Sequence, residues 1–537
     1  MRKIGGRNKV VAGLLVVTML IVAGCQAVGG LDLNRMIANA LKVTSMEAAE
    51  TMELKLHLNE ELMEDMDEDE TELLRMMANV KLELKDVKMQ DSTHASFQGR
   101  IYFGDKTDIG FEMSMSETLM VMEIEGVKQP LVLDMTGEEL INMAGAEVGV
   151  GVQSAGETEL DEASLTAIGH EIIDQVSGYA IHHLPNPAGL TVKPATESIH
   201  GEAVSVMHVQ SELKGMDIWD WAKSYVEALS ADRKGMEKML TGIYDIMLQH
   251  PELYEAAGEV NPYEQPELDA PTKKETIRET VDEVMDMMES LKEEMELAEE
   301  EGEEGELPLD EILTEDTYMK ADLYVDSKLD VRKQRIEAAV KPGAELTEGS
   351  PLEGVTVIMT SERWNVNGSV QSEAPTKPKE ALDLEEMFSM DGRDLLQQAD
   401  SDSTVYDILK NKLHVGRQSI MLWTDDAHPP ILTPSGATLI PLRSTSEQLG
   451  AKVTYDKKTR AIKVVDDATA TTLSMKIGSD SVLVNGKAQK WAFPVTTINS
   501  TTYVSAKDFV KVLGAELQWD EYDEEDYGYV TIEREVE

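Results

Sequence analysis

Between Met52 and Ile124 apolar and polar residues alternate in five successive runs. Met52, Leu54, Leu56 and Leu58 are separated by Glu53, Lys55 and His57, and Val80, Leu82 and Leu84 by Lys81 and Glu83. Phe97, Gly99, Ile101 and Phe103 continue the pattern, then Ile109, Phe111, Met113 and Met115, then Met120, Met122 and Ile124. Successive side chains of a strand point to opposite faces, so each run carries one apolar and one polar face. Turn residues such as Gly104-Asp105 separate the runs, which predicts an antiparallel meander. Further strands are expected at Ala203–Val209, Tyr318–Val325, Arg335–Val340 and Val355–Met359. A half-apolar sheet needs a second layer, and helical spacing supplies candidates. They run from Leu31 to about Glu50, and over Glu162–Val176, Met216–Gln249 and Thr276–Glu300. The expected fold class is α+β: a large curved antiparallel sheet packed against helices over residues 31–375.

This pattern resembles the half-barrel of bacterial lipoprotein-carrier (LolA-like) folds, several of which follow a lipobox and hold acyl chains in a concave face. The resemblance is one of architecture and implies an apolar ligand. Methionine bears on it, with 31 Met against 6 Phe. Met113, Met115, Met120 and Met122 stand at i, i+2 and share a face, while Met285, Met287, Met288 and Met295 lie on the last long helix. Thioethers fill cores, line pliable apolar pockets or bind Cu(I). The four strand methionines are the candidate apolar pocket.

The N-terminus speaks to location. Arg2, Lys3, Arg7 and Lys9 precede an apolar stretch, Val10 to Ala23, too short to cross about 30 Å of hydrocarbon comfortably. It reads as a secretory signal over residues 1–24. The stretch ends Val22-Ala23-Gly24-Cys25, which resembles the bacterial lipobox. That resemblance implies signal-peptidase recognition through Val22, Ala23 and Gly24, a diacylglyceryl group on Cys25, and residues 25–30 as a lipidated tether. The alternative is a free cysteine behind an uncleaved anchor. Two acyl chains give stable anchoring, so the expected location is the extracytoplasmic face of a cell membrane. Cys25 is the single cysteine, which excludes an intramolecular disulfide and a Cys-rich metal site.

The formal charge is −53, and taking away the four positive charges of the signal leaves −57. Such a charge excludes a phosphate-binding surface for nucleic acid. The acids cluster in Glu60–Glu70, Glu293–Glu306 and Asp520–Asp526. Asp65, Asp67 and Asp69 open like a calcium loop, but Glu70 replaces the turn glycine and Met76 the closing carboxylate. His170-Glu171 begins like a zincin helix, yet Asp174 occupies the place of the second histidine. His182-His183 stands before a Pro-containing loop and is read as solvent-exposed, and Gly-x-Ser-x-Gly is absent. Trp219 and Trp221 at i, i+2 predict one core and one surface indole on a helix. No catalytic residue and no metal site are assigned.

Residues 376–417 read as a linker, opening Thr376-Lys377-Pro378-Lys379 and carrying a short helix near Leu382–Gln398. The rest, 418–537, contains an internal repeat. Thr438–Asp456 and Thr502–Asp520 align at an offset of 64, with Leu449-Gly450-Ala451 over Leu513-Gly514-Ala515 and Tyr455-Asp456 over Trp519-Asp520. Each unit predicts a strand, a short helix and a hairpin. Ala506, Phe509, Val510 and Leu513 form one helical stripe, and Gly450 and Gly514 stand where a helix C-terminus wants a left-handed residue. The pattern Pro430-Ile431, Thr438-Leu439-Ile440-Pro441-Leu442-Arg443, Leu449-Gly450-Ala451, Tyr455-Asp456 and Val484-Asn485-Gly486 resembles the copper amine oxidase N-terminal-like domain. In that family the module is a non-catalytic stalk without copper or quinone, so no cofactor is expected, and His414 and His428 cannot build a three-histidine site. The second repeat departs, with Ser505-Ala506-Lys507 for Pro441-Leu442-Arg443, and its hairpin is enlarged by four acidic-loop residues.

The expectation is a membrane-anchored Gram-positive surface lipoprotein, non-catalytic, that binds an apolar or cell-wall ligand or a protein partner. The C-terminal module would be the stalk or partner contact. The alternatives are a purely structural envelope protein and a metal-dependent hydrolase.

Overall fold

The computed structural model describes residues 29–104, 106–135, 162–250, 270–301, 308–434, 436–521 and 528–536. The chain forms two units, residues 1–125 with 129–384 and residues 126–128 with 385–537. The signal segment, Val22, Ala23, Gly24 and Cys25, and the enlarged hairpin loop at 522–527 lie outside the described residues, as does part of the acidic run at 302–306.

The first unit is built on a sheet of 12 strands in the order β12-β6-β5-β4-β3-β2-β1-β11-β10-β9-β8-β7. One meander comprises β1 (Met46–Leu58), β2 (Asn79–Met89), β3 (Ala95–Phe103), β4 (Thr107–Met115), β5 (Leu119–Ile124) and β6 (Leu131–Asp134). A second comprises β7 (Thr191–Ile199), β8 (Glu202–Lys214), β9 (Tyr318–Val325), β10 (Val331–Val340) and β11 (Leu352–Trp364). The two join where β1 pairs antiparallel with β11, Met52 opposite Met359. The short β12 (Leu382–Asp383) adds a parallel pair to β6.

Helices occupy the connections: α1 (Leu33–Leu41) before β1, α2 (Glu68–Met77) between β1 and β2, and α3 (Glu162–Val176) before β7. Between β8 and β9 stand α4 (Met216–Ala231), α5 (Arg233–Gln249) and α6 (Ala270–Glu301). Leu33 and Met36 of α1 are buried against Val209, Leu323, Val325 and Val331. Ile218 and Trp221 of α4 are buried with Leu213, Met319 and Leu184. Tyr244 and Met236 of α5 pack on Ile277 and Val281 of α6. The helical layer therefore sits over β8–β10.

Three expected elements change. The first helix stops at Leu41 rather than near Glu50, because Thr44 and Ser45 are tied to Asn367 and Gly368 and deliver the chain into β1. The long helix at 216–249 breaks at Asp232, whose carboxylate caps α5 through Gly235 N–H at 2.9 Å. The helix near 382–398 is two, Leu384–Ser389 and Gly392–Gln398, the second capped by Asp391.

The β7–β11 end of the sheet curls toward its polar face. Lys333 of β10 meets Glu197 of β7 at 2.6 Å, and His200 in the β7–β8 turn stacks on Trp364 of β11 at 4.0 Å. Flat strands spaced about 4.8 Å apart would hold these groups too far apart.

The second unit holds a single core shared by three small sheets. Strands β13 (Arg417–Trp423), β24 (Gly528–Glu535) and β23 (Glu516–Glu521) make one. β14 (Ile431–Leu432), β15 (Thr438–Pro441), β22 (Thr501–Ser505) and β21 (Thr496–Ile498) make the second. β16 (Lys452–Asp456), β17 (Ala461–Asp466), β18 (Thr471–Lys476), β19 (Ser481–Val484) and β20 (Lys487–Lys490) make the third. Helices α7 (Leu442–Gln448) and α8 (Ala506–Val512) follow β15 and β22. The first strands of the two repeats pair with each other, Leu439 opposite Ser505, Ile440 opposite Val504 and Pro441 opposite Tyr503. Ile440 thus faces its own counterpart 64 positions on, which places a local two-fold axis through that pair.

Candidate functional site

The register carries one apolar face across the sheet. Ala321 stands opposite Ile336, Ile336 opposite Met359, Met359 opposite Met52, Met52 opposite Leu82, Leu82 opposite Ile101 and Ile101 opposite Ile109. Directly opposed residues share a face. The face that the helices bury on β8–β10 therefore continues over β11, β1 and β2–β6. On β11 and β1–β5 its residues are mostly half-buried and Met52 is 41% exposed, while Leu131 and Leu133 of β6 are buried. Among the described residues none of Leu54, Leu82, Ile101 and Phe111 belongs to a buried core cluster.

The four candidate methionines meet on this face as cross-strand pairs, Met113 with Met122 and Met115 with Met120. Two further pairs, Met46 with Met89 and Met52 with Met359, repeat the arrangement. Phe97 and Phe111 stack edge-on at 6.1 Å, and Phe111 covers Gly99, where an added Cβ would lie 2.2 Å from the ring. The sequence revealed the Met113–Met122 set because hairpin partners are close in sequence. It could not reveal Met52–Met359, because that pair depends on how the two meanders join.

The opposite face is polar and knit by ion pairs. Lys81 and Lys85 reach Glu83 at 2.8 and 3.2 Å, and Tyr102 donates to it at 3.1 Å. The Lys81 hydrogen bond outweighs the burial of Glu83 and holds its carboxyl down at about 2. His208 bonds Asp322 at 2.7 Å and stacks on Tyr324 at 4.5 Å. Tyr318 donates to Glu337 at 2.6 Å, and burial pushes its hydroxyl up to about 12. A pocket of about 460 Å³ opens here, lined by Thr51, Glu83, Lys85, Tyr324, Lys333 and Arg335. Its cations are paired with acids, Lys333 with Glu197, Arg335 with Glu337 and Lys85 with Glu83.

The residues weighed for catalysis do not converge. Asp174 pairs with Lys42 and no metal-holding group of three His, Cys, Asp or Glu occurs among the described residues. His183 is half-buried rather than exposed, bonding the Tyr179 carbonyl at 2.8 Å with Asp232 3.4 Å from its other nitrogen. Trp221 is core, its Nε1 donating to the Pro185 carbonyl at 2.8 Å, and Trp219 is the outer indole, bonded to Glu299. Among the described residues no helix is long and apolar enough to cross a membrane.

In the C-terminal unit the repeat residues take the expected places. Pro441, Leu442, Leu449, Ala451 and Leu513 are buried and Ala515 is half-buried. Gly450 and Gly514 follow their helices at φ +78° and +66°. Arg443 is exposed and holds Glu447 and the Val453 carbonyl at 2.8 and 3.2 Å, joining α7 to β16. Asn485 and Gly486, both at positive φ, turn the β19–β20 hairpin. Sequence reading missed Arg534. Its side chain is fully buried and bonds Asp466 at 2.6 and 3.1 Å, the Leu449 carbonyl at 2.6 Å and Gln418 at 2.7 Å. Nothing in its local sequence marks it, since its partners lie 68, 85 and 116 positions away.

This geometry defines a two-repeat α+β module whose repeated positions are structural. Residues 423–526 match the family model of the copper amine oxidase N-terminal domain. The matched part is the non-catalytic N-terminal domain of those oxidases and not their catalytic domain. A comparison with curated proteins finds no match.

Proposed function

We propose that this chain is a lipid-anchored extracytoplasmic protein of a Gram-positive cell surface, tethered through Cys25, whose first unit binds an apolar ligand. The observation that carries the binding reading is the apolar face extending beyond the helical layer over β11, β1 and β2–β5. A folded chain does not leave such a face half-exposed without cost, since each Å² of apolar surface kept from water is worth about 25 cal/mol. Methionine pairs suit a face that adapts to its ligand. The second unit serves as a non-catalytic stalk or partner contact, in keeping with its buried repeat residues and its family match. The chain as a whole acts by binding and not by catalysis, and it needs no copper.

Two experiments test this. Native mass spectrometry of the protein purified from cells, together with binding of a hydrophobic fluorescent dye, should reveal an apolar ligand or a competent face. A chain with no co-purifying ligand and no dye binding would be a structural envelope protein. Cell fractionation of the Cys25→Ser chain should move it out of the membrane fraction, and retention there would refute the anchor.

A further inference from the structure

The apolar face is bordered by acid at one end of its strands. The connection from β1 to β2, residues 59–78, carries nine carboxylates against the single guanidinium of Arg75. All nine belong to exposed residues, among them Glu61, Glu64, Asp65 and Glu68. This connection stands at the ends of β1 and β2, the strands that bring Leu54, Leu56, Val80 and Leu82 to the apolar face. The neighbouring β10–β11 connection adds exposed Glu345 and Glu348, and Asn59 ties the two together through Glu353 at 2.9 Å.

Resting on the binding reading above, we propose that the occupant of this face is a cationic amphipathic segment of a partner protein. Its lysines or arginines would meet the acids at the β1–β2 end, and its apolar side would lie on Leu54, Val80 and Leu82 beside them and run along the strands towards Met113 and Met122. The charge selects among apolar occupants. A second copy would bring another −53 and meet its own repulsion, and an anionic lipid headgroup would face the same acids. A basic segment gains on both counts. Methionine-rich faces accommodate such helices because the unbranched thioether repacks around different side chains.

The test uses the full chain and three probes: an amphipathic helical peptide with leucines on one side and lysines on the other, the same peptide with glutamates for the lysines, and the hydrophobic dye. The lysine peptide should bind at least about tenfold more tightly than the glutamate peptide at low salt, and the gap should shrink as salt shortens the screening length to about 8 Å near 0.15 M. Reversing these acids with Glu61→Lys, Glu64→Lys and Glu68→Lys should abolish the preference and leave dye binding intact. Met52→Glu should weaken both dye and peptide. Equal binding of the two peptides, no peptide binding while the dye still binds, or displacement of the lysine peptide by zwitterionic lipid vesicles would each overturn the cationic partner and leave the apolar-ligand reading standing. Loss of dye and peptide alike from the unmodified chain would overturn both.

Discussion

Replacing Arg534 by methionine should strongly destabilise the C-terminal module. The guanidinium is completely buried and Asp466 is 1% exposed, so water screens neither partner. Arg534→Met keeps the length and apolar stem but removes donors to Asp466, the Leu449 carbonyl and Gln418. It also leaves the Asp466 carboxylate buried, with the Thr469 hydroxyl at 2.5 Å as a remaining donor. Breaking a buried, hydrogen-bonded pair from one side costs about 3–5 kcal/mol. Against a domain stability of about 5–15 kcal/mol, that is a large share. The assay is urea unfolding of the full chain followed by hydrogen exchange, read on peptides from 438–536, so that the first unit does not mask the transition. The double change Arg534→Met with Asp466→Leu should recover most of the loss, because no charge is then buried alone. A single-variant loss below about 1 kcal/mol, or a double variant as unstable as the single, would refute the reasoning.

The same pair sets a pH response. Burial pushes the Asp466 carboxyl up, but Arg534 and Thr469 outweigh it and hold the carboxyl below its ordinary value. A depressed carboxyl stabilises the fold above its unfolded value and loses that contribution as pH falls through the folded one. The module should therefore lose stability below about pH 4, and a module equally stable at pH 7 and pH 2 would contradict this. For Glu83, held at about 2 chiefly by Lys81, the stability gap between the native chain and Glu83→Gln should be fully open above the ordinary value of 4.5 and close towards pH 2 in urea titrations. Gly450→Ala should cost about 1–2 kcal/mol from left-handed strain alone, since no atom lies within 4 Å of an added Cβ, and Gly450→Asn should cost less in thermal melts. Gly99→Val should displace the Phe111 ring and weaken dye binding to the apolar face, with circular dichroism showing an intact sheet.

Much was legible from local pattern. Alternation in 52–124 located β1–β5 and their apolar face, and Tyr318–Val325 was found end to end. The helical stripe Ala506, Phe509, Val510 and Leu513 is buried as its spacing required. Trp219 and Trp221 divided between surface and core by helix geometry. Where local pattern failed, a tertiary bond had decided. Thr44 and Ser45 end α1 because residues 367 and 368 hold them, and Asp232 splits a helical stretch by capping its second half.

The sequence by itself determined the alternating strands, the faces they offer and the two repeats, because a period of two or 3.6 is written in neighbouring residues, and it missed the strands β6, β7 and β12. It also determined that Leu449, Gly450 and Ala451 recur as Leu513, Gly514 and Ala515, but not which of them is buried. The tertiary structure decided how the pieces meet: β1 against β11, Ile440 against Val504, and Arg534 against Asp466. Each of those joins residues far apart in the chain, and register across such distances is fixed by packing, which local spacing does not encode. The same reason explains the open apolar face. Alternation marks its residues as apolar, and only the placement of the helices over β8–β10 leaves its β11 and β1–β5 part half-exposed.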